Sequence, residues 1–485
     1  VSAPVTVEVL SAAEAEPVQR RVAGALLAAG LGPGDRIAFC LPSSSALLCA
    51  VLGALRIGVV PVLLNATLLD AEREVLLADA RPTRVVTDPE ALAALATGPP
   101  AEPARLSPVP LARPMHYTSG TTGRSKGVWS GVWSPEEAAA AFADEADLWG
   151  FGPDDVHLVC SPMYHSVSVR FAGGTLLRGG TCVVLGRFDG ETARSVLAGE
   201  GDAPRPTTTF MAPAALARLL TTVEGTDTRF DALRLLVHAG SPCPPSLKRS
   251  ALARVGPDVL WEFYGSTEGQ FTVCSPAEWA ERPGTVGRAR PGRTLSVDPD
   301  GTIWCRPPGF ARFRYWDDPA KTAAAWRDGS FTVGDLGRLD GEGYLFIDGR
   351  RDDLIISGGV NVYPAEVEAV LSGVAGVAEV AVFALPDERW GQRVCAALVL
   401  DPAVGVGSPE AAVAAVTERA EAHLAAYKRP KQYAVVEALP RTATGKLQRS
   451  LVPGLLTGPA TPEVGPAMPE VGPVGPIGPV GPGPA

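Results

Sequence analysis

The chain has 485 residues, with 43 Lys and Arg against 53 Asp and Glu for a formal charge of −10. An acidic balance of that size argues against a nucleic-acid coat or a basic membrane-surface domain, because the net field recruits no polyanion. With 46% apolar and only 20% charged residues, the chain has material for more than one core, since single cores stop growing beyond roughly 250–300 residues.

The N-terminus lacks a charged segment followed by an apolar core, and the longest apolar stretch, 46–64, is broken by Arg56, Gly58 and Pro61. A soluble cytoplasmic chain with no membrane span is expected. From residue 36 onward short β-branched runs alternate with Ala/Leu-rich helical ones: RIAFCLP, ALLCAVLGALRIG, VVPVLLN, LLDAEREVLLADA, RVVTD. The alternation continues through TCVVL, a helix near 192–197, TTTFM, a helix near 213–221 and LRLLVHAG. This is the pattern of βαβ units around a largely parallel sheet. A β-rich stretch with turn glycines follows over 284–350, and then a separate α+β unit of PAEVEAVLSGV, AEVAVFAL, RVCAALVL, a helix near 408–426 and KQYAVVEAL. The expected fold class is α/β, with a large N-terminal domain of βαβ units and a β-rich subdomain (1–351), a small mobile C-terminal α+β domain (352–452) and a Gly/Pro-rich tail (453–485). The tail has no aromatic residue and too few Gly triplets for a collagen helix.

Eight cysteines, at 40, 49, 160, 182, 243, 274, 305 and 395, include no C-x-x-C pair, so buried free thiols are expected. The sharpest local feature is His116-Tyr-Thr-Ser-Gly-Thr-Thr-Gly-Arg-Ser-Lys-Gly127. Its glycines (Gly120, Gly123, Gly127) admit a bound anion close to the backbone. Thr118, Ser119, Thr121 and Thr122 supply donors, and Lys126 a point charge, a composition suited to a polyphosphate. It is not the P-loop of NTPases, because Gly127 stands where the metal-binding hydroxyl should be. A Ser/Thr/Gly-rich surface turn would have the same composition.

Further segments follow in order: Pro162-Met-Tyr-His165, Tyr264-Gly-Ser-Thr-Glu268, Gly334-Asp335, Gly349-Arg-Arg-Asp-Asp-Leu-Ile-Ile-Ser-Gly-Gly359, Asn361-Val-Tyr-Pro-Ala-Glu-Val-Glu368 and Pro440-Arg-Thr-Ala-Thr-Gly-Lys446. Together with the 116–127 segment they resemble the adenylate-forming superfamily of acyl-CoA synthetases, carrier-protein adenylation domains and firefly-type luciferases, and most closely the acyl-CoA synthetases. The resemblance implies ATP, Mg²⁺ and coenzyme A as cofactors and co-substrates. Tyr264 would stack on the adenine beside Gly240 and Ser241, Thr267 would meet the α-phosphate, and Glu268 would hold magnesium. Asp335 would take the ribose hydroxyls and Arg350 the nucleotide, with Asp352 as hinge. Lys446 would bridge the substrate carboxylate and α-phosphate, Gly358 and Gly359 would line the thiol tunnel, and His165 would border the acyl pocket.

The implied activity is an ATP-dependent carboxylic acid:CoA ligase for a fatty or aryl acid. The alternatives are a free-standing ligase that loads an acyl carrier protein and a non-enzymatic adenylate-binding regulator. The stretch His165-Ser-Val-Ser-Val-Arg-Phe171 lacks the carboxylate that would pair with an amino-acid ammonium, so α-amino acids are disfavoured. Arg170, its one charge, is expected in solvent, or else facing a second carboxylate or polar tail of the substrate. Two departures from the family pattern stand out: Ser125 where relatives usually have Pro, and an abbreviated segment before Gly34.

Overall fold

The computed structural model describes residues 5–102, 105–118, 126–357, 360–387, 390–401, 408–441 and 447–456. The chain divides into two compact units, Val1–Asp352 and Asp353–Ala485.

The first unit begins with β1 (Val7–Ser11), α1 (Ala12–Ala28), β2 (Arg36–Phe39), α2 (Ser45–Leu55), β3 (Val60–Leu63), α3 (Asp70–Ala80), β4 (Arg84–Val86) and α4 (Pro89–Ala96). It continues with β5 (Met115–Thr118), β6 (Lys126–Trp129), α5 (Pro135–Trp149), β7 (Val156–Val159), α6 (Ser166–Leu177), β8 (Thr181–Leu185) and α7 (Gly190–Ala198). Then come β9 (Thr208–Met211), α8 (Pro213–Thr221), β10 (Leu235–His238), α9 (Pro245–Val255) and β11 (Leu260–Glu262).

One six-stranded sheet runs β1-β8-β7-β9-β10-β11, parallel except for the edge strand β1. A second runs from strand Arg314–Tyr315 through β6-β5-β3-β2-β4. Its last four strands are parallel, whereas β6 and Arg314–Tyr315 are antiparallel. Parallel strands covered on both faces need continuous apolar runs, and β3 and β9 are buried at every position.

The strand β1 and helix α1 precede the first element legible as an alternation. A signal for α1 was nevertheless present in Ser11-x-x-Glu14: Ser11 Oγ accepts from Glu14 N, and Glu14 Oε2 accepts from Ser11 N at 2.9 Å, a capping box. The β-rich region is built of short antiparallel strands, among them the pair Asp335–Leu339 and Leu345–Arg350.

In the second unit, strands Val377–Asp387, Gly391–Leu400 and Gln432–Val435 pack with helices Pro364–Leu371 and Pro409–His423 around a core that includes Val367, Leu371, Val382 and Val416. A 3-10 helix, Arg449–Leu456, runs four residues into the stretch expected to be tail. It is held by buried Val452 and by Arg449, whose guanidinium bonds the Glu368 carboxylate and the Val382 carbonyl.

All eight cysteines are free, and only Cys243 is not fully buried. Among the described residues no helix is long and apolar enough to cross a membrane.

Helix α6 carries the candidate site at its N-terminus and is anchored by Phe171. That ring is fully buried, with ring centroids of Trp149 and Phe151 at 5.4 Å and of Phe210 at 5.9 Å. Phe171→Ala is expected to cost the first unit about 3–5 kcal/mol, read as a lowered midpoint in chemical denaturation followed by near-UV circular dichroism. A loss below about 1 kcal/mol would contradict this anchoring role.

Candidate active site

Ligands of open α/β sheets bind outside the carboxyl ends of the parallel strands, and the predicted residues lie there. His165 follows β7, Gly240 and Ser241 follow β10, and Tyr264, Thr267 and Glu268 follow β11. The Tyr264–Gln270 segment folds back on itself: Ser266 N donates to Gly269 O at 2.8 Å and Phe271 N to Tyr264 O at 2.9 Å. Gly265 is required by close approach, since a Cβ there would stand 2.7 Å from Gly269 O. Gly240, at φ +95°, adopts a backbone conformation that L side chains avoid; it and Ser241 are exposed at the end of β10.

Tyr264 Oη donates to Asp335 Oδ2 at 2.6 Å. Asp335 is buried and faces Arg350 across the strand pair, with Arg350 Nε 3.1 Å from Oδ1. That contact lies off the N–H direction, so Oδ1 is a buried acceptor with no hydrogen-bond donor. Burial and the adjacent Asp335 carboxylate hold the Tyr264 phenol protonated, well above its ordinary range. Three residues expected to touch the nucleotide are thus joined directly.

Glu268 is also buried. Its Oε1 accepts from Tyr315 Oη at 2.9 Å, while Oε2 accepts no hydrogen bond among the described residues. Burial and the Glu268 charge keep the Tyr315 phenol protonated. Lys126 Nζ lies 5.1 Å from the Tyr315 ring centroid. Strand Arg314–Tyr315 pairs with β6, setting Tyr315 opposite Val128, and β6 in turn sets Lys126 opposite Thr118. Tyr315 has no place in any recognised motif, and only the sheet pairing brings it to Glu268. Ser119, Gly120, Thr121, Thr122, Gly123 and Ser125 lie outside the described residues, as do Gly358, Gly359 and Lys446; Asp352 is the last residue of the first unit.

The AMP-binding enzyme family matches residues 6–312, and the AMP-binding enzyme C-terminal domain matches 366–446. The chain belongs to the AMP-binding enzyme family. It is 31% identical over 476 residues to the long-chain-fatty-acid–CoA ligase FadD13 of Mycobacterium tuberculosis, covering 91% of this chain and 92% of that protein. It also resembles ATP-bound MatB from Rhodopseudomonas palustris, with a TM-score of 0.79, 30% identity and coverage of 92% and 93% of the two chains. A third likeness is O-succinylbenzoate coenzyme A synthetase (MenE) from Bacillus subtilis in complex with ATP and magnesium ion, with a TM-score of 0.76, 28% identity and coverage of 91% and 94%. These matches place the chain in the adenylate-forming superfamily anticipated from its motifs.

The site of this family member suits ATP and magnesium on its own terms. The orphaned Asp335 Oδ1 is an acceptor for a ribose hydroxyl. Among the described residues no group of three His, Cys, Asp or Glu could hold a metal. The open Glu268 Oε2 is the kind of single carboxylate that shares magnesium with substrate phosphates.

One expectation is overturned. Arg170 does not point into solvent: its side chain is 22% exposed and lies 3.7 Å from Glu145, with its guanidinium 5.7 Å from the Phe263 ring centroid. Beside it lie Asp144, Glu145, Arg113, Arg290 and Arg293, none of them singled out by any motif. The run Arg288-Ala-Arg-Pro-Gly-Arg293 was the available signal, but its partners are some 145 residues away in sequence.

Neutral histidines surround the site. His165 occupies the N-cap position of α6 without a side-chain capping bond, its ring 4.6 Å from that of Tyr164, and His116 Nδ1 bonds Tyr164 O at 2.8 Å. His238 lies beneath Gly240, 3.8 Å from Glu262, whose carboxylate Lys248 meets at 2.5 Å. Burial pushes His116, His157 and His238 down to about 3 and His165 to about 4. Each stays neutral in the folded protein while the unfolded chain takes up protons below about pH 6.5. Stability is therefore full above about pH 6.5 and falls as pH drops toward 4, by up to about 1.4 kcal/mol per pH unit per histidine. Equilibrium unfolding at several pH values should show this decline, and a midpoint unchanged between pH 7 and 5 would contradict it.

Proposed function

We propose that the chain is an ATP-dependent carboxylic acid:CoA ligase of the AMP-forming kind. The observation that carries this reading is the Tyr264–Asp335–Arg350 constellation. It offers a protonated aromatic ring, a charged guanidinium and one buried acceptor without a hydrogen-bond donor among the described residues, beside the turn that carries Thr267 and Glu268. FadD13 and MenE, by their names, ligate a long-chain fatty acid and O-succinylbenzoate to CoA.

In the first half-reaction a carboxylate oxygen attacks the α-phosphorus of ATP; the α–β bridging bond breaks, giving acyl-AMP and pyrophosphate. In the second, the CoA thiol attacks the acyl carbon, giving thioester, AMP and a proton. Phosphoryl chemistry of this kind asks for positioning and charge stabilisation. Asp335 holds the ribose, Arg350 contributes positive charge to the nucleotide, and the 118–126 segment with Thr267 holds the phosphates. Tyr315 orients the Glu268 carboxylate. Magnesium, when bound at Glu268, neutralises phosphate charge. Lys446 supplies the ammonium that joins carboxylate and α-phosphate. The lowered pKa of His165 keeps it neutral beside the acyl group. Asp352, at the end of the first unit, serves as pivot between the two half-reactions, and Gly358 and Gly359 give passage to the pantetheine arm.

Lys446→Ala should lower carboxylate-dependent ATP–pyrophosphate exchange at least about 100-fold, with nucleotide affinity little changed; unaltered exchange would remove this lysine from the chemistry. Tyr315→Phe should raise the magnesium concentration for half-maximal exchange at least about tenfold, the worth of one hydrogen bond to a carboxylate. The acceptor is tested by thioester formation with free CoA. Thioester only on the phosphopantetheine of a carrier protein would replace CoA as acceptor.

A further inference from the structure

Beside Ser266 and Thr267 the first unit encloses a cavity of about 30 Å³ whose walls include Arg113, Glu145, Ser166, Arg170, Gln270 and Arg293. That volume admits about two waters or one carboxylate-sized group, and no alkyl chain. Its walls are charged, and unevenly so. Among the described residues the four guanidiniums of Arg113, Arg170, Arg290 and Arg293 stand beside two carboxylates, Asp144 and Glu145.

The acids are already used. Asp144 accepts from Arg290 Nη2 and Arg293 Nη2, both at 2.8 Å, and from Arg293 Nη1. Glu145 accepts from Trp149 Nε1 at 3.0 Å, Arg290 Nη1 at 3.1 Å and Gln270 Nε2 at 3.2 Å. The arginines around it hold Glu145 ionised, down at about 2 despite burial.

Two cations are left over. Arg170 reaches Glu145 only at 3.7 Å, and its buried Nε has no hydrogen-bond partner. Arg113 makes no ion pair among the described residues and rests 5.5 Å from the Trp133 ring centroid. Arg293, 3% exposed, also leaves its buried Nε unpartnered, and Gln270 its Oε1. Burial among like charges brings Arg113 down to about 10, so it remains charged at neutral pH. A surplus of two partly buried positive charges is costly without a counter-ion. An apolar acyl group would leave it uncompensated. The N-terminus of α6, whose Ser166 lines the cavity, adds to the positive field.

We infer that this cavity receives a second carboxylate of the acid substrate, so that the chain activates a short or aromatic dicarboxylic acid in preference to the monocarboxylic acid of the same skeleton. Arg113 and Arg170 are the specificity-determining residues, each able to meet the distal carboxylate with paired N–H donors. This rests on the ligase reading above.

The test is ATP–pyrophosphate exchange by the full chain with matched pairs: butanoate and succinate, hexanoate and adipate, benzoate and phthalate. At least one diacid should exceed its monoacid about 100-fold in kcat/KM, because a site built for a charged partner rejects the analogue that lacks it. Arg113→Gln, which breaks no ion pair and so is expected to fold, and Arg170→Met should each raise the KM for that diacid at least about tenfold with the KM for ATP unchanged, shifting the preference toward the monoacid. Monoacids used as well as or better than their diacids would overturn the inference alone. So would a rise in the KM for ATP instead of the acid, which would assign the cavity to the triphosphate. Absence of exchange with every acid of both kinds would sink the ligase reading, and this inference with it.

Discussion

The hydrogen bond from Tyr264 to Asp335 ties the turn after β11 to strand Asp335–Leu339 of the β-rich region, two segments 71 residues apart in sequence. A phenol donating to a buried carboxylate is a charge-assisted bond, strengthened by the low dielectric around it. It fixes the ring proposed to meet a base and the carboxylate proposed to meet a ribose in one geometry. Because Asp335 and Arg350 are cross-strand partners, the guanidinium is placed by sheet register rather than by loop conformation. The proposed nucleotide site is therefore preorganised by two sheets and one hydrogen bond, with one Asp335 oxygen that accepts no hydrogen bond among the described residues.

Among the described residues several buried charges are paired within the fold. Lys248 and Glu262 form a buried couple beneath His238, with the ammonium also 4.9 Å from the Trp279 ring centroid. That pair is compensated within the fold, and burial accordingly leaves His238 neutral. Around Glu145 the balance fails: guanidiniums outnumber carboxylates, and buried donors stay unpartnered. An imbalance of this kind is expensive in a core and useful in a binding site, since the missing charge defines what must arrive.

Much of the fold was legible because βαβ units write their periodicity into the chain. The runs at β2, β3 and β4 and the helices at α7 and α8 are where alternation and apolar content placed them. The helix α1 was not read, since Pro17 interrupts its pattern, although its capping box is present. Arg170 was misassigned to solvent for a physical reason: exposure of a lone arginine is a sound prior for an isolated residue, and an internal salt network cannot be seen from one strand or helix at a time.

The sequence by itself pointed to the kind of chemistry through its resemblance to the adenylate-forming superfamily, because the Tyr-Gly-Ser-Thr-Glu turn, the Gly-Asp pair and the other motifs are local and stand in order along the chain. Tertiary structure alone decided which side chains support them. Tyr315 reaches Glu268 only because its strand pairs with β6. Arg170, Arg290 and Arg293 meet Asp144 and Glu145 only because α5, α6 and the β-rich region converge there. Backbone motifs act over a few residues and can be read in order along the chain, whereas the balance of buried charge is a sum over neighbours in space, and that sum does not exist until the chain has folded.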